Sequence, residues 1–141
     1  MTARANHSSQ IASGRAEQAA LKLYVVLSRA QQSVSEHAAA DVRAHGLTPG
    51  EFGVLELLYH NGPTLLNEIQ RNVLVSSGGI TFLVDKLADK KLVERRDCPT
   101  DRRARYAALT AEGKGLISRI FPGHARRITE AVGALTAGEQ K

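Results

Sequence analysis

The stretch "RRDCPTDRRAR", residues 95–105, packs Arg95, Arg96, Arg102, Arg103 and Arg105 into eleven positions, with Asp97, Cys98 and Asp101 among them. A guanidinium presents a planar fork of donors that matches phosphate oxygens and guanine edges, so such a loop suits nucleic acid. Upstream, "SSGG" places Ser76, Ser77 and Gly78 before an apolar-periodic segment. At a helix start, free backbone N–H groups and the positive dipole end attract phosphate, and glycines let the backbone come close.

Other constellations carry less. His37, Asp41 and His45 fall at i, i+4 and i+8 on one helix face, a spacing that can bind a metal. They amount to two histidines and a carboxylate with no cysteine to help, and His45 also suits a helix C-terminus as a cation, so no metal is expected. Cys98 sits near arginines that lower a thiol pKa. It is the only cysteine, so an oxidant sensor through Cys98 stays an alternative and a turn residue is the expectation. His60 and His124 read as surface or packing residues. There is no G-x-S-x-G, no phosphate-loop lysine pattern and no zinc-finger spacing. Neither an enzyme nor a cofactor is expected.

The totals agree with a nucleic-acid partner. The 141 residues suffice for one domain with a hydrophobic core, and 43% are apolar. Net charge is +5, the pI is near 9.7, and 13 of the 19 basic residues are arginine. A single cysteine excludes a disulfide within the chain and suits a reducing compartment. The first residues lack the apolar stretch of a signal peptide, and no run reaches transmembrane length. The expectation is a soluble, cytoplasmic protein with no membrane partner.

These residues need elements to hold them. Residues 1–15 are polar and small and read as a flexible tail. From Ala16 to His45, Leu23, Leu27, Ala30, Val34, Ala38 and Val42 recur at steps of three and four, the mark of a long amphipathic helix that Gly46 stops. Thr48, Pro49 and Glu51 form a capping-box start for a second helix with Phe52, Leu55 and Leu58 inward. A short third helix follows Thr64, with Leu65, Leu66, Ile69 and Val73 apolar. Ser76 then caps a fourth helix to about Lys90, buried through Ile80, Leu83, Val84 and Leu87. Projected at 100° per residue, Gly78, Phe82, Asp85, Lys86 and Asp89 lie opposite that stripe. "LVERR" and "ARYAAL" read as strands of a hairpin. Thr110 caps a last helix with Leu116, Ile117, Ile120 and Phe121 inward, which Pro122 kinks or interrupts.

Two short helices joined by a tight turn, then a hairpin, make a winged helix-turn-helix, whose second helix enters the major groove. The fold class is mainly α with a small β-hairpin. Residues 16–141 form the single domain, with the DNA-binding lobe at 47–109 and the wing at 95–105. The long segments 16–45 and 110–141 flank the lobe. A winged helix serving as a protein-interaction module without DNA is the alternative.

The blocks "LTPGEFGVLELL", "VLVSSGGITFLVDKLADKKLVERR", "DRRARYAALTAEGKGLI" and "LTAGEQ", in this order and spacing, resemble the MarR family of bacterial transcription regulators. The resemblance implies a homodimer whose flanking helices dimerise it. It also implies binding to pseudo-palindromic duplex DNA, as a repressor or activator often released by small anionic aromatic compounds or oxidants. By the same resemblance Ser76, Ser77, Gly78, Thr81 and Lys86 match the recognition-helix region, and Asp101, Arg102 and Arg103 match the wing motif. There an aspartate orders the wing by pairing with an arginine, and an arginine reaches the minor groove. An effector site is implied between the long helices and the lobe, and His37, Arg43 and His60 are weak candidates for it.

Three departures from the family pattern stand out. Phe82 occupies a position often polar or basic; it either packs against helix three or faces DNA, where a ring can meet a thymine methyl. Lys91 stands where glycine is usual. A left-handed cap there costs lysine roughly 1 kcal/mol, so a differently shaped helix end is expected. The family pattern also continues past "LTAGEQ" with a last helix that completes the dimer interface, whereas this sequence ends at Lys141.

Overall fold

The computed structural model describes residues 3–73 and 79–141, with side chains from Gly14 onward. Five helices and three short strands follow in the order α1 (Ala3–Ala44), α2 (Pro49–Asn61), β1 (Thr64–Leu65), α3 (Leu66–Asn72), α4 (Ile80–Asp89), β2 (Val93–Asp97), β3 (Arg105–Leu109) and α5 (Ala111–Ala131). The chain divides into two compact units, residues 1–36 and residues 37–141. None of the described helices is long and apolar enough to cross a membrane.

In the first unit α1 starts at Ala3, so the expected tail over residues 1–15 is largely helical instead. Residues 3–13 contain no proline, and the one glycine at 14 costs a helix only about 1 kcal/mol relative to alanine. Leu21, Leu23, Tyr24, Val25, Val26 and Leu27 are all exposed. Of the predicted stripe, Val42 alone is fully buried, and it belongs to the second unit.

The second unit begins with the end of α1. Leu47 N–H donates to Val42 O at 3.3 Å and Gly46 N–H to Arg43 O at 2.9 Å, with Gly46 at φ 75°. This is a Schellman end, and glycine supplies the left-handed residue without steric cost. The capping box of α2 is complete: Thr48 Oγ1 accepts from Glu51 N–H at 3.2 Å, and Glu51 Oε2 accepts from Thr48 N–H at 2.9 Å. Glu51 is buried and its carboxylate meets Lys90 Nζ at 2.8 Å. Burial pushes the Glu51 carboxyl up, but the Lys90 and Thr48 bonds outweigh it and hold the group below the usual glutamate range.

Leu55, Leu58, Ile69, Val84, Leu87 and Ile117 form the centre of one core, joined by Phe52, Leu92 and Ile120. Each such aliphatic side chain contributes about 1.5–3 kcal/mol by leaving water. The sheet order is β1-β3-β2, antiparallel throughout, with Thr64 opposite Ala107 and Asp97 opposite Arg105. The hairpin therefore has a third strand, and Leu65, expected on the apolar face of the third helix, belongs to it.

Two helix ends and one helix interior bear on the expectations. α4 has Gly79 at φ 47° as its N-cap, with no side-chain cap bond; the expected cap Ser76, with Ser77 and Gly78, lies outside the described residues. α4 ends on Lys91 at φ 60°, left-handed after all. Leu92 N–H donates to Leu87 O and Lys91 N–H to Ala88 O, each at 2.9 Å, and Leu87 and Leu92 are both buried. Those bonds and that contact outweigh the lysine's steric cost. Finally, α5 runs unbroken through Pro122 to Ala131. Ile120 and His124 are buried on either side of the proline, so packing offsets the lost backbone bond.

Candidate nucleic-acid interface

Helix α4 turns Ile80, Val84 and Leu87 into the core and leaves Thr81, Phe82, Asp85, Lys86 and Asp89 exposed. Phe82 keeps 57% of its surface exposed, which excludes the packing alternative. Lys86, one turn on, holds its ammonium 4.9 Å from the Phe82 ring centroid, a cation–π contact. Asp85 points its carboxylate to Arg95 of β2 at 2.6 Å, and the same guanidinium donates to Thr81 O at 3.4 Å. The wing strand thus grips the exposed side of α4. Sequence reading missed this link, because nothing local pairs residues ten apart on different elements.

The five wing arginines divide by partner. Arg95 is engaged with Asp85, Arg96 with Glu94 at 2.6 Å, and Arg105 with Asp97, its cross-strand neighbour, at 2.8 Å. Arg102 and Arg103 are exposed and, among the described residues, have no carboxylate partner. Asp101 holds backbone at the tip with its carboxylate, where the wing motif implies that it holds a guanidinium. Its Oδ1 accepts from the backbone N–H of Arg103 at 2.9 Å, and its carbonyl accepts from Ala104 N–H at 3.1 Å. A short aspartate reaches its own backbone two residues on more readily than a neighbouring arginine tip. The wing loop proper is residues 98–104, between β2 and β3.

Cys98 lies at the base of that loop, half-buried, with Sγ 3.3 Å from Thr100 Oγ1. Hydrogen bonding to Thr100, side chain first and then backbone, holds the thiol below its ordinary value. The nearby Cys98 charge pushes the Tyr106 phenol up.

The remaining candidates do not gather in one place. Arg43 lines a groove of about 470 Å³ with Leu47, Thr48, Lys86 and Lys90. His60 packs edge-on against Phe121, with centroids 4.9 Å apart, and beside Tyr59. The Asp41 carboxylate takes Arg127 Nε at 2.9 Å and His124 Nδ1 at 3.2 Å, while the His124 ring packs 4.3 Å from Phe52. His124 is therefore a core histidine with a partner 83 positions away.

A core-packed α4 with a polar, partly aromatic outer face, flanked by a hairpin whose tip carries unpaired arginines, defines a winged helix-turn-helix DNA-binding protein. The chain belongs to the MarR family, whose model matches residues 45–104. The HTH-type transcriptional regulator MhqR of Bacillus subtilis (strain 168) is 48% identical over 119 residues, spanning 84% of this chain and 82% of that protein. Among solved structures, Sco3205, a MarR family regulator from Streptomyces coelicolor in complex with DNA, superposes with a TM-score of 0.76 at 25% identity, over 89% of this chain and 79% of that one. Bordetella bronchiseptica BpsR, whose DNA binding is regulated by 6-hydroxynicotinic acid, superposes with a TM-score of 0.73 at 25% identity, over 84% and 90%. The protein is a DNA-binding transcriptional regulator, and its relatives carry regulator names and not enzyme names.

Proposed function

We propose that the chain acts in the cytoplasm as a homodimeric repressor on a pseudo-palindromic operator and is released by a small anionic aromatic ligand. α4 enters the major groove with Thr81, Phe82 and Lys86, preceded by Ser76, Ser77 and Gly78. The wing lays Arg102 and Arg103 along the minor groove, where a narrow groove concentrates negative potential. One observation carries this reading. Of five clustered arginines, the three on the strands face carboxylates, and the two at the tip have none among the described residues. Unpaired guanidinium at a loop tip is the arrangement that phosphate neutralisation requires.

The homodimer rests on residues 21–27. At 100° per residue, the exposed Leu21, Leu23, Tyr24, Val25, Val26 and Leu27 cover all of the helix circumference except the sector of Lys22. Two turns so largely apolar belong inside a larger assembly. For the effector, the groove lined by Arg43, Lys86 and Lys90 beside Glu51 and Asp89 is of ligand size, about 470 Å³, and with Lys90 held by Glu51 at 2.8 Å it offers an anion Arg43 and Lys86. A carboxylate bound there competes for Lys86, so ligand and operator oppose each other.

Selection of bound sequences from random duplex DNA tests the reading. The expected outcome is a palindrome with half-sites about one helical turn, roughly 10 bp, apart. No enrichment, together with binding that does not weaken as salt rises, rules it out.

A further inference from the structure

Resting on the placement of α4 in the major groove, we propose that Phe82 reads the C5 methyl group of a pyrimidine, thymine or 5-methylcytosine, and thereby fixes one position of each half-site. The ring is the one large apolar side chain on the exposed face of α4; its neighbours there are Thr81, Asp85, Lys86 and Asp89. The buried stripe of Ile80, Val84 and Leu87 closes the core without it. The ring therefore stays in water in the free protein, at a cost in apolar exposure that only a bound partner relieves. The Lys86 ammonium lies against the ring and leaves the remainder open. Of the two acids on this face, Asp85 and Asp89, Asp85, one turn from Thr81 and beside Lys86, is drawn onto Arg95 at 2.6 Å. A phenyl ring neither donates nor accepts a conventional hydrogen bond. Of the groups that base pairs show in the major groove, the C5 methyl is the apolar one, and 5-methylcytosine carries it at the same position.

The test uses the full chain and its selected operator. Each thymine is replaced in turn by deoxyuridine, symmetrically in the two half-sites, and Kd is measured for wild type and Phe82→Ala. At one thymine position, wild type is expected to lose roughly fourfold per half-site, the equivalent of one buried methyl group. Phe82→Ala is expected to bind thymine and deoxyuridine there equally, and to respond like wild type elsewhere. Phe82→Leu, still apolar, keeps part of the discrimination. Exchanging that T·A pair for C·G weakens wild-type binding, and 5-methylcytosine·G restores it. Wild type that binds its operator specifically yet ignores every deoxyuridine overturns this inference and leaves the operator reading standing. So does an equal loss in wild type and Phe82→Ala. Absence of any sequence preference overturns both.

Discussion

Replacing Lys91 by glycine should stabilise the protein by about 0.5–1 kcal/mol. Lys91 is the one non-glycine residue at positive φ among the described residues, at 60°. An L-residue in that region costs roughly 1–2 kcal/mol through the contact of Cβ with the following carbonyl. Glycine removes that cost but loses about 0.5–1 kcal/mol of extra backbone freedom on folding, which leaves a net gain of about 0.5–1 kcal/mol. Both backbone bonds of the helix end persist, as does the bond from Thr110 Oγ1 to Lys91 O at 2.7 Å. Lys91→Ala is the control. It loses the same side-chain charge, a few tenths of a kcal/mol at a helix C-terminus, and keeps the strained φ. Urea denaturation at one protein concentration reads both variants. The expected order is glycine above lysine above or equal to alanine, with unchanged m-values. Glycine no more stable than alanine refutes the reasoning, because it means that the turn relaxes to negative φ in solution.

Other consequences are as direct. Gly113→Ala puts a Cβ onto the carbonyl of buried Leu92, so α5 must shift; a loss of about 1–3 kcal/mol in denaturant stability is expected despite alanine's better helix propensity. Lys90→Met leaves Glu51 buried with its burial unopposed by Lys90 and should cost about 2 kcal/mol at neutral pH. The wild-type Glu51 carboxyl is held below its unfolded value, so its contribution is present above that value and fades as acid protonates it. In Lys90→Met the carboxyl loses two of the interactions that hold it down while the Thr48 bond and the Lys86 charge remain, so its contribution fades at a higher pH than in wild type, which a pH series of urea midpoints reads. Arg103→Ala should weaken binding to most DNA sequences and flatten the log Kd against log salt slope by about one unit per bound protomer, whereas Arg96→Ala, already facing Glu94, should leave the slope nearly intact. Asp101→Ala should lower DNA affinity several-fold with little change in the unfolding midpoint, because the bond it loses orders an exposed loop.

Features written in short-range chemistry were legible in the sequence. The Thr48–Glu51 capping box, the Gly46 stop, the Thr110 cap on Gly113 N–H and the two faces of α4 all follow from spacings of three and four, and the structure has each of them. Features that depend on distant partners were not. β1 is two residues long and exists as a strand only because β3 lies beside it. The start of α4 rests on a left-handed Gly79, which sequence reading passed over in favour of a serine cap. The Asp41–His124–Arg127 cluster joins residues more than eighty positions apart, and helical spacing alone grouped Asp41 with His37 and His45 instead. Lys91 shows the limit of propensity: its cost was legible, but the two backbone bonds and the buried Leu92 that outweigh it were not.

The same distinction explains why the aspartates sit among the arginines. Exposed ion pairs such as Arg96–Glu94 and Arg105–Asp97 add little stability, typically under about 1 kcal/mol each. Their effect lies in where they leave charge. Five free guanidinium groups within eleven residues would repel one another and attract any polyanion without regard to geometry. Pairing three of them with Asp85, Glu94 and Asp97 confines uncompensated charge to Arg102 and Arg103, and Asp101 fixes the backbone beneath that pair. Arg95, through Asp85 and the Thr81 carbonyl, ties the strand below the tip to the exposed face of α4. The unpaired charge of the tip and the exposed face of α4 are thereby set at one spacing within the second unit. A wing at fixed distance from its recognition helix can discriminate register along a duplex, where a loose basic loop could only adhere to it.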